Sequence, residues 1–362
     1  MVGRFPGIAG LYVARQVVVG IALILLALVA LYSIIDILRE MRDVDGAYGP
    51  LEAVTYVLWT SLRRVYDVFP FAALIGTLLA LGGMAASQEL TALRVSGVSR
   101  QRIAAMAAAG GGAVLIVVLA LTETFMPGLE TDARTTREQA RTGQVELAGD
   151  QALWLRDGPM LVRVDQPLWA GEDRIQFERV DFYRMGEGFA PEVLVQARRA
   201  DHDGSHWRLQ GARTVDLESG LETSPGEGGT RLESRLDPAV FEAALTRPRF
   251  TALGDLVRLA EYMEANGLDA SAYRSAFWGR VFYPLTVLAM IVIGLPFVFR
   301  PVRERGWGLQ ALVGIGLGLS FHVLNRLLQG TAAVLHLPPW LTAAILPVTF
   351  IGLAWLLLRR RA

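Results

Sequence analysis

Polar and apolar residues are segregated along this chain in long blocks. Six runs, at residues 16–35, 68–88, 103–122, 281–299, 307–325 and 338–358, contain no charged residue. A helix rises about 1.5 Å per residue, so about 20 apolar residues match a hydrocarbon layer roughly 30 Å thick. The pattern therefore predicts six membrane-spanning helices. Core helices of a soluble protein seldom lack charge over such lengths. The first run is long, lacks a small-residue cleavage site and is followed by further spans. It is expected to stay as a span rather than act as a cleavable signal.

Residues 140–250 follow another rhythm. "QALWLRDGPMLVRVD" is two alternating runs around Asp157-Gly158, a hairpin signal. "RIQFERVDFYRM" and "EVLVQARRAD" also alternate, and "DHDGSHWRLQGARTVDL" turns at Asp203-Gly204. "SPGEGG" (224–229) reads as a loop. Short strands at this spacing predict a sandwich, a jelly roll or a similar all-β module. Pairs such as Leu153 and Leu155, Val162 and Val164, or Val193 and Val195 would fill its core or line an apolar path. "TALGDLVRLAEYMEANG" (251–267) then returns to helical spacing, with Thr251 as candidate cap, a stripe of Leu253, Leu256, Val257, Ala260 and Met263, and Gly267 as terminator. This helix is expected at the membrane surface, leading into the fourth span.

Composition fits this plan. The chain is 52% hydrophobic with a mean hydropathy of +0.37, and 19% charged against about 25% in soluble domains. There is no cysteine, so neither disulfides nor thiol chemistry contributes, and every basic residue is arginine. Zero net charge conceals a local bias. Arg4, Arg94, Arg100, Arg102, Arg300, Arg303, Arg305 and Arg359 to Arg361 flank one set of span ends, whereas "EMRDVDGAYGP" (40–50) and "GTAAVLHLPP" (330–339) do not carry that excess. The positive-inside rule then puts both termini in the cytoplasm and residues 128–275 on the opposite side.

Sites for covalent catalysis are not visible. The chain has no P-loop, no His-Glu-x-x-His and no Gly-x-Ser-x-Gly. His202 and His206 straddle a turn, where an exposed turn is favoured over a metal site. His322 lies beside Asn325 and Arg326, as a polar cluster near the end of the fifth span.

The segment "AASQELTALRVSGVSRQRI" (85–103) joins two oily runs. Leu90 and Leu93 share one side of a short helix, Glu89 and Arg94 stand on others, Gly97 breaks the helix and Ser99 caps the next. On the opposite side of the membrane, Arg39, Arg42, Arg63, Arg64, Arg134 and Arg137 gather near span ends, with Arg134 and Arg137 spaced to share a helix face. Such arginines either bind phosphate or only reach the interface.

The sequence resembles the lipopolysaccharide-export permease family, LptF/LptG, with the closer likeness to its LptG branch. "SQELTALRVSGVSR", "ETFMPGLETDARTTREQA", "AFWGRVFYPLTVLAMIVIGLPFVF" and "GIGLGLSFHVLNRLLQGTAAVLHLPPWLTAAILP" carry the likeness. The resemblance implies a transmembrane half at 1–135 with a coupling helix at 85–96, a periplasmic β-jelly-roll domain at 136–250, and an interfacial helix with the second half at 251–362. It implies a lipopolysaccharide substrate, an LptF-like partner half, a dimeric cytoplasmic LptB-like ATPase holding the ATP and Mg²⁺, and a bitopic LptC-like jelly-roll protein. No cofactor bound by this chain and no nucleic acid are expected. Glu89, with Leu90, Leu93 and Arg94, would engage the ATPase. Arg63, Arg134 and Arg137 fall on matching basic positions for lipid phosphate, and Arg39 and Arg42 match more loosely. A further basic position of the family within span one is apolar here, near Ser33 or Ile35. The alternatives are a permease of the same architecture for another lipid or lipoprotein, and a membrane sensor or scaffold. A sensor should carry an output domain or a sizeable cytoplasmic tail, and "LLLRRRA" reads as neither.

Overall fold

The computed structural model describes residues 7–44, 48–142, 153–157, 160–169, 175–186, 190–202, 206–223, 230–233, 251–299, 307–335 and 337–359. The loop 224–229 and Arg4, Arg300, Arg303, Arg305, Arg360 and Arg361 lie outside the described residues. The helices are α1 (Ile8–Glu40), α2 (Pro50–Trp59), α3 (Ser61–Ala86), α4 (Glu89–Val95), α5 (Arg100–Thr142), α6 (Leu253–Ala265), α7 (Ser271–Val281), α8 (Tyr283–Val298), α9 (Trp307–Val334) and α10 (Pro339–Arg359). Strands β1 (Leu153–Asp157) to β8 (Thr230–Glu233) lie between α5 and α6. The chain divides into two compact units, described in turn.

The first unit holds residues up to Leu38, Thr60–Met126, and Ser275 onward. Among the described residues, five helical stretches are long and apolar enough to cross a membrane: α1, α3, Arg100–Met126 of α5, Ala311–Thr331 of α9, and α10. The expected fourth span, 281–299, is mostly α8; α7 precedes it, and the two, bent by 49° at Phe282, make a sixth span when counted as one. The cause is Pro284, at the start of α8. Proline has no N–H to give, and its ring clashes with the preceding turn. The break is held from both sides. Tyr283 stacks on Tyr66 with ring centroids 4.0 Å apart and donates its hydroxyl to the Tyr66 carbonyl at 2.7 Å. Arg280 reaches Glu123 at 3.4 Å.

Helix α8 packs on α3 and α10, and α9 packs on α3. The core runs through Val13, Val17, Ile21, Leu74, Leu78, Met290 and Ile291. In lipid, helices associate by close packing rather than by escape from water, so small residues at crossings matter. Here Gly20 meets Gly76: a Cβ on Gly76 would lie 2.5 Å from Ile21 Cα. Gly110 likewise admits Ala14, whose carbonyl oxygen would sit 2.6 Å from an added Cβ.

The second unit comprises Arg39–Trp59 and Pro127–Arg274. Its β1, β2 (Met160–Trp169), β3 (Ile175–Met185), β4 (Pro191–His202), β5 (His206–Gln210) and β8 follow one another across an antiparallel sheet. β6 (Arg213–Asp216) pairs with both β4 and β7 (Glu222–Thr223). The described strands make one curled antiparallel sheet, consecutive from β1 to β5 with β8 beside β5, which fits the all-β module expected. Alternation decides its faces. Val162, Val164, Phe177, Val180, Phe182, Val195 and Ala197 turn to the buried side, and Val193 packs at its margin. The side chains of Leu153 and Leu155 lie outside the described residues. Trp207 fills the centre, against Phe182 and His202, and its indole N–H donates to Asp157 Oδ2 at 3.0 Å.

Helix α6 packs on this sheet. Tyr262 lies against the sheet core and donates its hydroxyl to the Arg156 carbonyl at 2.5 Å. Arg156 returns a hydrogen bond to the Asn266 carbonyl at 2.9 Å. Thr251 does not cap the helix: Ala252 is the N-cap, without a side-chain hydrogen bond. Thr251 is buried. Gly267, at φ +68°, follows the C-cap as expected.

Two outcomes follow from this packing. Gly76→Ala should destabilise the detergent-solubilised protein by about 1–3 kcal/mol, because backbone rather than a movable side chain blocks the new methyl. Gly112→Ala, with nothing within 4 Å, should be neutral or slightly stabilising. Thermal unfolding of both variants in one detergent checks the difference. Separately, burial and then the charge of Asp157 push the Tyr262 hydroxyl up to about 12. Folding thus favours the neutral phenol. This contribution is whole below the unfolded value of about 10 and is lost as pH rises through 12. Tyr262→Phe should show a shallower alkaline loss of stability than the parent over that interval in denaturant titrations.

Candidate functional site

Two groups of side chains could do transport chemistry. The first surrounds α4. Gln88 takes the left-handed conformation, φ +64°, and reverses the chain between α3 and α4. At the other end Gly97, φ +92°, allows a paired closure: the Val98 N–H donates to the Leu93 carbonyl at 3.0 Å and the Gly97 N–H to the Arg94 carbonyl at 3.1 Å. This 6→1 and 5→2 pattern is a Schellman motif, which a Cβ would strain. Ser99 Oγ then accepts from the Arg102 N–H at 3.3 Å, capping α5.

The faces of α4 differ from the expected outward ridge. Leu90 is 3% exposed, and Leu93 packs beside it on the core of the spans. An amphipathic helix at a membrane surface buries its apolar side, and these two leucines seat α4 on its own chain. The side open to a partner presents Thr91, Ala92, Arg94 and Val95. Glu89 is gripped at both oxygens. Ser87 Oγ donates to Oε1 at 2.9 Å and the Tyr12 hydroxyl to Oε2 at 2.8 Å.

The second group consists of arginines. In the first unit, buried Arg64 donates from Nε to Asp36 Oδ2 at 2.6 Å, joining α3 to α1. Arg63 lies one residue earlier, its Nε 3.9 Å from Asp67. In the second unit, Arg137 is forked between two carboxylates. Its Nε donates to Glu40 Oε1, and its Nη2 to Asp43 Oδ2 at 3.0 Å. Tyr48 and Tyr56 face the guanidinium at 5.9 and 5.2 Å. The Tyr48 hydroxyl also donates to Glu40 Oε1, at 2.9 Å. Burial works against the Arg137 charge, but the hydrogen bond and charge of Glu40 outweigh it, so its proton is held more firmly than usual. Burial and then Glu40 likewise hold the Tyr48 proton. Arg39 and Arg42 are exposed at and just beyond the end of α1. Arg134 lies on α5, and its side chain is outside the described residues.

A metal finds no such cluster: among the described residues no three His, Cys, Asp or Glu side chains gather to hold one. His202 is buried against the Trp207 ring, and His322 is tilted against Phe71.

The sequence profile of the family described as lipopolysaccharide export system permease LptF/LptG matches residues 11–360. The chain belongs to the LptF/LptG family. Lipopolysaccharide export system permease protein LptG of Escherichia coli K12 is 28% identical over 360 residues, covering 98% of this chain and 99% of that protein. LptG of Haemophilus influenzae is 27% identical over 353 residues, covering 97% and 98% respectively. The family is one of transporter subunits rather than enzymes.

Sequence reasoning about this LptF/LptG permease picked out the arginines and missed their acidic partners. Asp36 and Glu40 are four residues apart and so share a face of α1. That spacing, opposite basic residues on two other helices, was the available signal.

The Arg64–Asp36 contact predicts an asymmetric result. Arg64→Leu should cost about 3–5 kcal/mol, because it removes a buried guanidinium that holds the Asp36 carboxylate at 2.6 Å. Adding Asp36→Leu should recover most of the loss. A double-mutant cycle on thermal stability in detergent measures this coupling.

Proposed function

We propose that this chain is the LptG-type transmembrane subunit of an ATP-driven exporter. It draws lipopolysaccharide from the outer leaflet of the inner membrane and delivers it to a periplasmic bridge. Both termini face the cytoplasm, and the sheet domain lies in the periplasm. The partners are an LptF-like half, two copies of an LptB-like ATPase and an LptC-like bitopic protein. ATP and Mg²⁺ belong to the ATPase, and this chain binds no cofactor of its own. The three functional regions are a transmembrane half at 1–135, a lipid-receiving β domain at 136–250, and residues 251–362.

The observation that carries this reading is α4: a short helix between two spans, capped at its C-terminal end, with its apolar side spent on its own chain, Arg94 exposed to a partner, and Glu89 held beside it by Ser87 and Tyr12. A structure built this way can be pushed without unfolding. Leu90 and Leu93 then support the coupling contact from behind. On the lipid side, Arg39, Arg42, Arg63, Arg134 and Arg137 take phosphate. The carboxylates on Arg137 are the groups that a phosphate must displace, and guanidinium forks suit both.

A photoreactive residue at position 134 should form an adduct with lipopolysaccharide in membranes. Arg134→Ala with Arg137→Ala should lower extraction while leaving the subunits assembled. Each charge-assisted contact is worth roughly 1.5–3 kcal/mol when partly buried, and far less when exposed. Absence of an adduct together with wild-type extraction by the double variant would move the lipid site elsewhere.

A further inference from the structure

Glu89 opens α4, and Tyr12 lies in the second turn of α1, 77 residues away. Their hydrogen bond, 2.8 Å, ties the helix between spans two and three to the start of span one. The carboxylate does not swing freely to make it. Ser87 Oγ holds the other oxygen at 2.9 Å, and the left-handed turn at Gln88 brings Ser87 and Glu89 to the same side. A glutamine at positive φ is uncommon and carries a small cost, which the fold accepts here.

The end of α1 that receives this bond is its anchored end. Val13, Val17 and Ile21 are fully buried, and Ala14 and Gly20 lie backbone to backbone against Gly110 and Gly76. Beyond Ile21 none of the residues of α1 is buried, and Leu23, Leu26, Leu31, Ile34 and Leu38 are exposed. The helix is thus a rod whose fully buried side chains all lie in its first four turns, with a remainder that packs only partly, as at Leu25. From Tyr12 to Glu40 it runs about 42 Å at 1.5 Å per residue. A small tilt at the seat becomes a displacement several times larger at Asp36 and Glu40.

We propose that Tyr12 is a positioning residue for transport: through Glu89 it carries the movement of α4 into α1, and so to the carboxylates at the far end of that helix. This rests on the reading of α4 as the element that the ATPase moves. The bond is exposed, so its loss should cost little folding stability. What it changes is whether α1 follows α4.

The test uses the complete complex, with both permease halves, ATPase and bitopic protein, in liposomes containing lipopolysaccharide. The readout is lipid released per phosphate produced. Tyr12→Phe removes one hydroxyl and should lower that ratio about three- to ten-fold, the size expected for one hydrogen bond. Glu89→Gln should lower it at least as far. The double variant should be no worse than Glu89→Gln, because both changes cut the same link. A wild-type ratio for Tyr12→Phe, or a double variant that multiplies the two losses, overturns the proposal. If Glu89→Gln itself keeps full extraction and ATPase binding, the reading of α4 fails, and this inference with it. Should Tyr12→Phe fail to assemble, Tyr12→Leu removes the same hydroxyl and leaves Glu89 in place; it should lower the ratio as far, and a wild-type ratio overturns the proposal.

Discussion

Charges near a hydrocarbon layer must be paired, and that requirement shapes this permease from the end of α1 outward. With no water to compensate, an unpaired guanidinium or carboxylate costs several kcal/mol. Arg64 therefore holds Asp36, and Arg137 holds Glu40 and Asp43. Both sets of acids come from one stretch, "DILREMRD", whose sequence mixes signs so finely that its net charge says nothing. The far part of α1, without a fully buried side chain beyond Ile21, is also held by these polar contacts.

The inner part of α1 obeys a different rule. There the helix is fixed by approach of backbone to backbone, at Gly20 with Gly76 and at Ala14 with Gly110. Dispersion over such crossings is short-ranged and unforgiving. One helix thus carries two kinds of restraint. Its seat resists any change of shape, whereas its far end is held by ion pairs.

The spans were legible because length and lack of charge are nearly sufficient evidence in a membrane protein, and the strands because Asp157-Gly158 and the alternation around Phe182 repeat a period of two. What the sequence hid was three-dimensional. The run 281–299 is mostly α8, and only the placement of Pro284 separates it from α7. Leu90 and Leu93 were correctly put on one side of α4, but periodicity cannot say which side meets the core. Thr251 had the chemistry of a cap, yet the helix starts one residue too late for it to serve. The arginines were found by type and the acids that hold them were not, since Glu40 and Arg137 are 97 residues apart.

That pairing bears on how an arginine can serve lipid transport. A guanidinium waiting for phosphate in a dry place would be costly while empty, and would release its ligand slowly once filled. If Arg137 takes lipid phosphate as proposed, its carboxylates remove the first difficulty by satisfying the charge in the absence of lipid. They ease the second, because Glu40 and Asp43 remain beside the site and compete for the same N–H groups. Affinity is then a difference between two anion contacts of similar chemistry rather than the full strength of one. A carrier that must both take and give up its cargo is served by such a small difference. Because Glu40 rides on α1, under the proposed reading any tilt of that helix weakens one competitor and shifts the balance at Arg137.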